Sequence, residues 1–248
     1  MHMARAKRHY LPGHIWHITH RCHKKEWLLR FSRDRRRWLQ WLFKAKKRYG
    51  LVIANHMITL NHIHLLVVDD GDRAVIPRSI QLVAGRVGQE YNLRKNRTGA
   101  FWEDRYHATA IESGEHLLRC MVYIDLNMVR AGVVKHPSEW DYSGYSEIQK
   151  PRHKCSLIAH EHLRRLAGFD SQDRFRTAHE RWVSDALVGG GHKRERLWTE
   201  SIAVGSDHFV ERIKGVPGRQ ATGRNLVEKE RIFHLREHAV PYKGQFWH

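Results

Sequence analysis

Asn61-His62-Ile63-His64-Leu65-Leu66-Val67-Val68 narrows the fold more than any other stretch of the chain. Two histidines flank one apolar residue, and an aliphatic run follows. In a β-strand, side chains at i and i+2 lie on the same face. His62 and His64 then point one way while Ile63 points into a core, an arrangement in which two imidazoles can share one metal ion. On spacing alone the pair is a weak signal, because 21 histidines in 248 residues give roughly two such pairs by chance. Two occur. The other, His160/His162, falls in a helical-looking stretch, where i and i+2 do not share a face. Only the first pair has strand context. The bland alternative is two partly exposed histidines on the polar face of a strand.

A second segment, Tyr123-Ile124-Asp125-Leu126-Asn127, offers a nucleophile and an amide oxygen one helical turn apart. Ser113 is placed to cap a helix from about Glu115 to Ala131, and Gly132 to end it. On that helix Leu117, Leu118, Met121, Val122, Ile124, Met128 and Val129 read as the packing side. His116, Arg119, Tyr123, Asn127 and Arg130 fall at helical spacing on the other. A helical tyrosine is far more often packed than reactive. Here its company matters: an amide oxygen one turn on can ligate a hard cation, and Arg130 can hold a phosphate bidentately.

Around these two segments, Ile15–Cys22 reads as a first strand, followed by a helix from Ser32 or Asp34 to about Tyr49 that Gly50 stops. Leu51–Thr59 and Asn61–Val68 read as consecutive strands, Arg78–Arg94 as a helix and Tyr106–Ile111 as a fourth strand. The order β-α-β-β-α-β-α predicts an α+β fold, a split βαβ sandwich with an antiparallel sheet and helices on one face. Residues 1–150 read as a catalytic domain with a basic N-terminal arm. Residues 151–248 read as a basic, mainly helical accessory region, with helical patterns over Leu157–Leu187 and Ile202–Ile213 and a break at Gly189-Gly190-Gly191.

Lys+Arg number 44 against Asp+Glu 26, a formal net charge of +18. Such a surplus favours a polyanion, with nucleic acid the leading choice. No apolar run is long enough to span a bilayer, and no amphipathic anchor stands out, so no membrane partner is expected. Cys22, Cys120 and Cys155 lie far apart, which argues against a disulfide framework or a zinc ribbon. The first residues lack an apolar signal core, so a cytoplasmic, nucleoid-associated protein is expected. Arg5, Lys7 and Arg8 in the arm, Arg36 and Arg37 on the first helix, Lys95 and Arg97 in a basic loop, and Arg105 and Arg130 are expected to contact DNA.

Asn61-His62-Ile63-His64-Leu65-Leu66-Val67, Phe101-Trp102-Glu103-Asp104-Arg105-Tyr106-His107 and Tyr123-Ile124-Asp125-Leu126-Asn127-Met128-Val129-Arg130-Ala131-Gly132 together resemble the REP-associated tyrosine transposases. These belong to the single-tyrosine HUH transposases, whose best-known members move the smallest insertion sequences. The resemblance covers roughly residues 10–148 and is specific in combination, order and spacing. It implies a ferredoxin-like HUH core, Tyr123 as nucleophile, and His62, His64 and Asn127 as ligands of Mg²⁺ or Mn²⁺. It also implies single-stranded DNA carrying REP-like hairpins as partner, cut and rejoined through a 5′-phosphotyrosine. Family members usually have proline where this chain has Met128, a change expected to straighten the helix near Asn127. The oligomeric state is left open between monomer and homodimer. Two other readings stay beside this one. A domesticated, non-cutting protein of the same fold would bind hairpins only. A metal hydrolase of small phosphates would need more acidic ligands and leaves the charge unexplained.

Overall fold

The computed structural model describes residues 12–151, 154–189, 194–215, 224–229 and 232–237. Arg5, Lys7, Arg8 and most of the expected glycine break lie outside the described residues. The chain runs β1 (Ile15–Arg21), α1 (Ser32–Tyr49), β2 (Val52–Ile58), β3 (His62–Val68), α2 (Val75–Arg94), β4 (His107–Ile111), α3 (Glu115–Asp125) and α4 (Asn127–Arg130). It continues with α5 (Tyr145–Gln149), α6 (His160–Leu166), α7 (Gln172–Val188), α8 (Leu197–Glu200), β5 (Ala203–Gly205), α9 (Asp207–Lys214), β6 (Arg224–Lys229) and β7 (Ile232–Glu237). The first seven elements follow the order expected from the sequence. Gly50 ends α1 in the left-handed region (φ 74°), its N–H bonded to the Lys46 carbonyl, as a C-terminal glycine should.

The seven strands make one sheet in the order β2-β3-β1-β4-β5-β7-β6. Its first four strands are antiparallel and have the ferredoxin-like arrangement, with β1 between β3 and β4. Alternation along β1 and β3 decides which residues meet which helices. Trp16, Ile18, Ile63, Leu65 and Val67 pack with Trp38 and Leu42 of α1 and Val83 and Val87 of α2. Ile15 and Leu66 point the other way and pack with Leu117, Met121 and Ile124 of α3, and with Phe175 of α7. Helices therefore cover both faces of the sheet, where one face was expected. The reason is legible in the strands: β3 carries apolar side chains on both sides, so both need a cover.

Beyond residue 150 the described chain is helical in α6, α7, α8 and α9, but it also returns to the sheet. Leu157–Leu187 is two helices, because the chain turns through Gly168 at φ 78°. Ile202–Ile213 is a short strand followed by a helix, with the Ser206 side chain capping the Phe209 N–H. β5 pairs in parallel with β4 (Ala110 opposite Ala203, Ile111 opposite Val204), and the β6–β7 hairpin extends the sheet from there. Three residues of β5 carry too little alternation to be read from sequence.

One buried polar knot ties this later part to the first. The Asp125 carboxylate accepts from Asn55 Nδ2 (3.0 Å) and from His179 Nε2 (2.8 Å), and Gln149 Nε2 donates to His179 Nδ1 (2.8 Å). Asp125 and His179 are fully buried. Asp125→Ala strips two buried donors of their acceptor and is expected to lower stability by about 3 kcal/mol. Urea unfolding checks this; a loss under about 1 kcal/mol would show the knot to be dispensable.

Candidate active site

β3 presents His62 and His64 on the sheet face that α3 covers, while Ile63 is buried among the α1 and α2 side chains. The two Nε2 atoms lie 3.1 Å apart. α3 ends at Asp125, and Leu126 (φ −79°, ψ 4°) separates it from α4. Asn127 opens α4, and its amide lies 2.9 Å from His64 Nε2. The helix is thus interrupted even with Met128 in place of a proline. The straight helix expected from that substitution is not formed: the break falls at Leu126, where ψ is near zero although its N–H still bonds the Val122 carbonyl and its carbonyl still accepts from the Arg130 N–H.

Hydrogen bonding fixes which ring nitrogens carry protons. Burial, against the Trp198 hydrogen bond, lowers the pKa of His17 to about 3, so the ring is neutral at pH 7. Its Nδ1 lies 2.8 Å from the Trp198 carbonyl, which can only accept, so His17 donates from Nδ1 and keeps a lone pair on Nε2. His17 Nε2 lies 2.9 Å from His64 Nδ1, which must therefore donate. Burial first, then His62, His17, Arg130 and Arg194, hold the His64 pKa well below its usual value. His64 is thus neutral, with its Nε2 lone pair facing outward.

His62 reaches the same state by another route. Asn61 Nδ2 donates to the Lys25 carbonyl (3.0 Å), which turns Asn61 Oδ1 toward His62 Nδ1 (2.8 Å). The Thr59 hydroxyl donates to the His62 carbonyl (2.8 Å), so it too can only accept from His62 Nδ1 (3.0 Å). Burial, then Arg21, Arg194 and Arg130, lower the His62 pKa to about 4. Two Nε2 lone pairs consequently face each other with no proton between them, a repulsive contact that a cation relieves.

Bonds of about 2.1 Å at right angles, as hard divalent ions prefer, put neighbouring donors about 3.0 Å apart. The separations of 3.1 Å and 2.9 Å match, with Asn127 turned so that its oxygen replaces its nitrogen. Two imidazoles and one amide oxygen fit Mn²⁺, which accepts nitrogen more readily than Mg²⁺ does. Among the described residues there is no group of three or more His, Cys, Asp or Glu that could hold a metal, and the Asn127 amide would be the third donor to an ion held by the two histidines.

Tyr123 belongs to the same cleft. Its ring lies 6.0 Å from that of His64 and 6.3 Å from that of His17, centroid to centroid. The Arg130 guanidinium sits 4.1 Å over the Tyr123 ring and donates to the Tyr123 carbonyl (2.5 Å). Tyr123 is only 6 % exposed, a correction to its expected place on the outward side of the helix. The sheet has two buried faces, and α3 lies over the one that holds the histidines. Burial raises the Tyr123 pKa above the ordinary 10, opposed by Arg130 and Arg194.

The cleft encloses about 750 Å³ and is lined by five cations, Arg21, Lys25, Arg105, Arg130 and Arg194, against three acids, Glu103, Asp104 and Glu200. The Phe101–His107 segment forms one wall. Trp102 stacks on His20 (4.1 Å), and His20 Nε2 donates to the Asp104 carbonyl (2.8 Å). Arg105 and Arg130 of the expected DNA contacts therefore border the cleft. Arg36 and Arg37 line a second groove between α1 and α2, where Arg37 is paired with Glu90 (2.5 Å). Arg97 donates to Asn92 Oδ1 and the Ala100 carbonyl, and Lys95 lies 5.4 Å from the centre of the Phe31 ring. Arg21, Lys25, Arg194, His17, Thr59 and Trp198 are site residues that the sequence reading missed. His17 shared a strand face with Thr19, which pairs with His64, and that register was the available signal.

His64 is 1 % exposed, so it is packed into the interior and is not the partly exposed histidine of the bland alternative. His64→Ala removes the donor to His17 Nε2 and leaves a cavity. It is expected to lower stability by about 2 kcal/mol as well as weaken metal binding. Thermal unfolding of the metal-free variant measures the first effect, and an unchanged midpoint would contradict it.

The chain matches no protein-family model and no curated protein. Among solved structures it is similar to a REP-associated tyrosine transposase bound to a REP hairpin, at 19% identity and TM-score 0.47 over 62% of this chain and 90% of that one. A candidate transposase from Deinococcus radiodurans is 16% identical, at TM-score 0.34 over 46% of this chain and 88% of the other.

Proposed function

We propose that the protein is a metal-dependent DNA strand transferase of the single-tyrosine HUH kind, acting on single-stranded DNA beside hairpins. The observation that carries this reading is the meeting of the His62 and His64 Nε2 lone pairs, the Asn127 amide and Tyr123 in one cation-lined cleft. The hairpin preference rests on the motif resemblance.

In this reading His62, His64 and Asn127 would hold Mg²⁺ or Mn²⁺, and the ion would supply charge neutralisation at the scissile phosphate. Arg130, Arg105, Arg21 and Arg194 draw the strand into the cleft and hold its phosphates. Tyr123 Oη attacks phosphorus and gives up its proton to water in the cleft. The bond from phosphorus to the 3′ oxygen breaks, that oxygen takes a proton, and a 5′-phosphotyrosine remains. Phosphodiester energy is kept in the new ester, so attack by a 3′-OH reverses the step without ATP.

The burial and raised pKa of Tyr123 favour a second reading, a protein of the same fold that binds hairpins without cutting. A 5′-labelled single-stranded oligonucleotide bearing a hairpin separates the two. With Mn²⁺ present, the transferase releases a labelled fragment ending in 3′-OH and retains the other piece on the protein, and a chelator stops both. Binding without cleavage would establish the second reading, and absence of binding would sink both.

A further inference from the structure

The mechanism proposed above uses His64 but leaves open what holds its ring, and beyond residue 150 it gives a task to Arg194 alone. One hydrogen-bond path addresses both. The Trp198 carbonyl accepts from His17 Nδ1 (2.8 Å), and His17 Nε2 accepts from His64 Nδ1 (2.9 Å). His17 is fully buried, and its ring meets that of His64 edge to edge and nearly coplanar (5.0 Å between centroids, 16° between planes), as an in-plane hydrogen bond between ring nitrogens requires. The segment that carries this carbonyl is itself pinned. Thr109 Oγ1 reaches the Trp198 carbonyl (3.3 Å) and donates to that of Ser201 (2.7 Å), and His107 Nε2 lies 2.9 Å from the Ser201 carbonyl. The Trp198 ring is buried 6.1 Å from that of Tyr123.

We infer that His17 is a positioning residue. It transmits the fixed polarity of the Trp198 carbonyl to His64, locks His64 as the Nδ1–H tautomer and aims its Nε2 lone pair into the cleft. Residues 197–201 are then part of the active site rather than an accessory to it. Had His17 donated from Nε2, His64 would have been driven to the opposite tautomer, with a proton where a metal must bind. Partners of this kind orient a ligating imidazole and raise its basicity, and their loss weakens metal affinity by roughly 10–100-fold. The inference rests on reading His62, His64 and Asn127 as a metal site.

The test uses the full chain in three forms: wild type, His17→Phe and His17→Gln. Phenylalanine keeps a ring of similar size and loses both hydrogen bonds. Glutamine keeps a carbonyl oxygen that can accept from His64 Nδ1. Long-range ¹H–¹⁵N spectra of the metal-free wild type, with the His64 signals assigned by their loss in His64→Gln, should show a proton on His64 Nδ1 and none on Nε2. In His17→Phe the His64 tautomers should mix, and the Kd for Mn²⁺ should rise by roughly 10–100-fold, with His17→Gln restoring most of the affinity. A proton on His64 Nε2 in the wild type overturns the inference, and that result holds even where His17→Phe does not fold. So does a folded His17→Phe protein that binds Mn²⁺ within about twofold of wild type. A wild type with the expected tautomer that binds no Mn²⁺ defeats the metal reading instead, leaving the His17 relay in place.

Discussion

Tyr123→Phe is expected to abolish strand cleavage, a loss of roughly 10⁴-fold or more, the scale on which removal of a covalent nucleophile acts. The change deletes one hydroxyl from a side chain that packs against Trp198, His17 and His64. Volume is nearly conserved, so the fold should survive with a stability change under about 1 kcal/mol. Arg130 keeps its bond to the residue 123 carbonyl and its place over the ring. Mn²⁺ and hairpin binding should therefore remain at wild-type strength. A gel assay with labelled single-stranded hairpin DNA reads the cleavage, and calorimetry with Mn²⁺ reads the metal. Cleavage at even a tenth of the wild-type rate would mean that another group attacks.

The metal-free protein should lose more than about 4 kcal/mol of stability between pH 6.5 and pH 5. Its cause is a set of histidines held neutral by burial. His17 is held at about 3 and His62 at about 4, against 6.5 for a histidine in the unfolded chain. As pH falls below 6.5 the unfolded state takes up protons that the folded state refuses. The stability these groups contribute is therefore complete above pH 6.5 and drains away as pH falls toward 4 and 3. Each costs about 1.4 kcal/mol per pH unit across that window, or about 2 kcal/mol by pH 5, and His64 adds to the loss in the same direction. Among the carboxylates, Glu147 is pushed down to about 2, so its contribution is lost only at lower pH. Urea unfolding at pH 7 and pH 5 in the presence of a chelator makes the comparison. Equal stability at the two values would show that the imidazoles are solvated and free to charge.

The strands and helices up to residue 125 were legible because their signals are local. Alternation marked β1 and β3, Gly50 marked the end of α1, and the spacing of His62 and His64 marked a shared face. The position of Tyr123 was not legible in the same way. Its helical face looked outward because a periodicity argument assumes one buried side, whereas α3 lies between the sheet and the later helices. The role of His17 was hidden for a different reason. Its partner is a main-chain carbonyl 181 residues away, and a carbonyl leaves no mark in a sequence. Arg37 and Arg97 looked like free phosphate ligands because nothing local announces that Glu90 and Asn92 will claim them. Charge counts give the sign of a surface, and only the fold says which charges are already spoken for.

The most direct measurement is the identity of the residue that becomes joined to DNA. Full-length protein is incubated with a single-stranded hairpin oligonucleotide and Mn²⁺, trimmed with nuclease, digested with protease and sequenced by tandem mass spectrometry. One peptide should carry a residual nucleotide, linked through its 5′-phosphate to Tyr123, and the modified peptide should vanish when a chelator replaces Mn²⁺. A nucleotide on Tyr106 or any other residue, or an adduct indifferent to the chelator, would contradict the account.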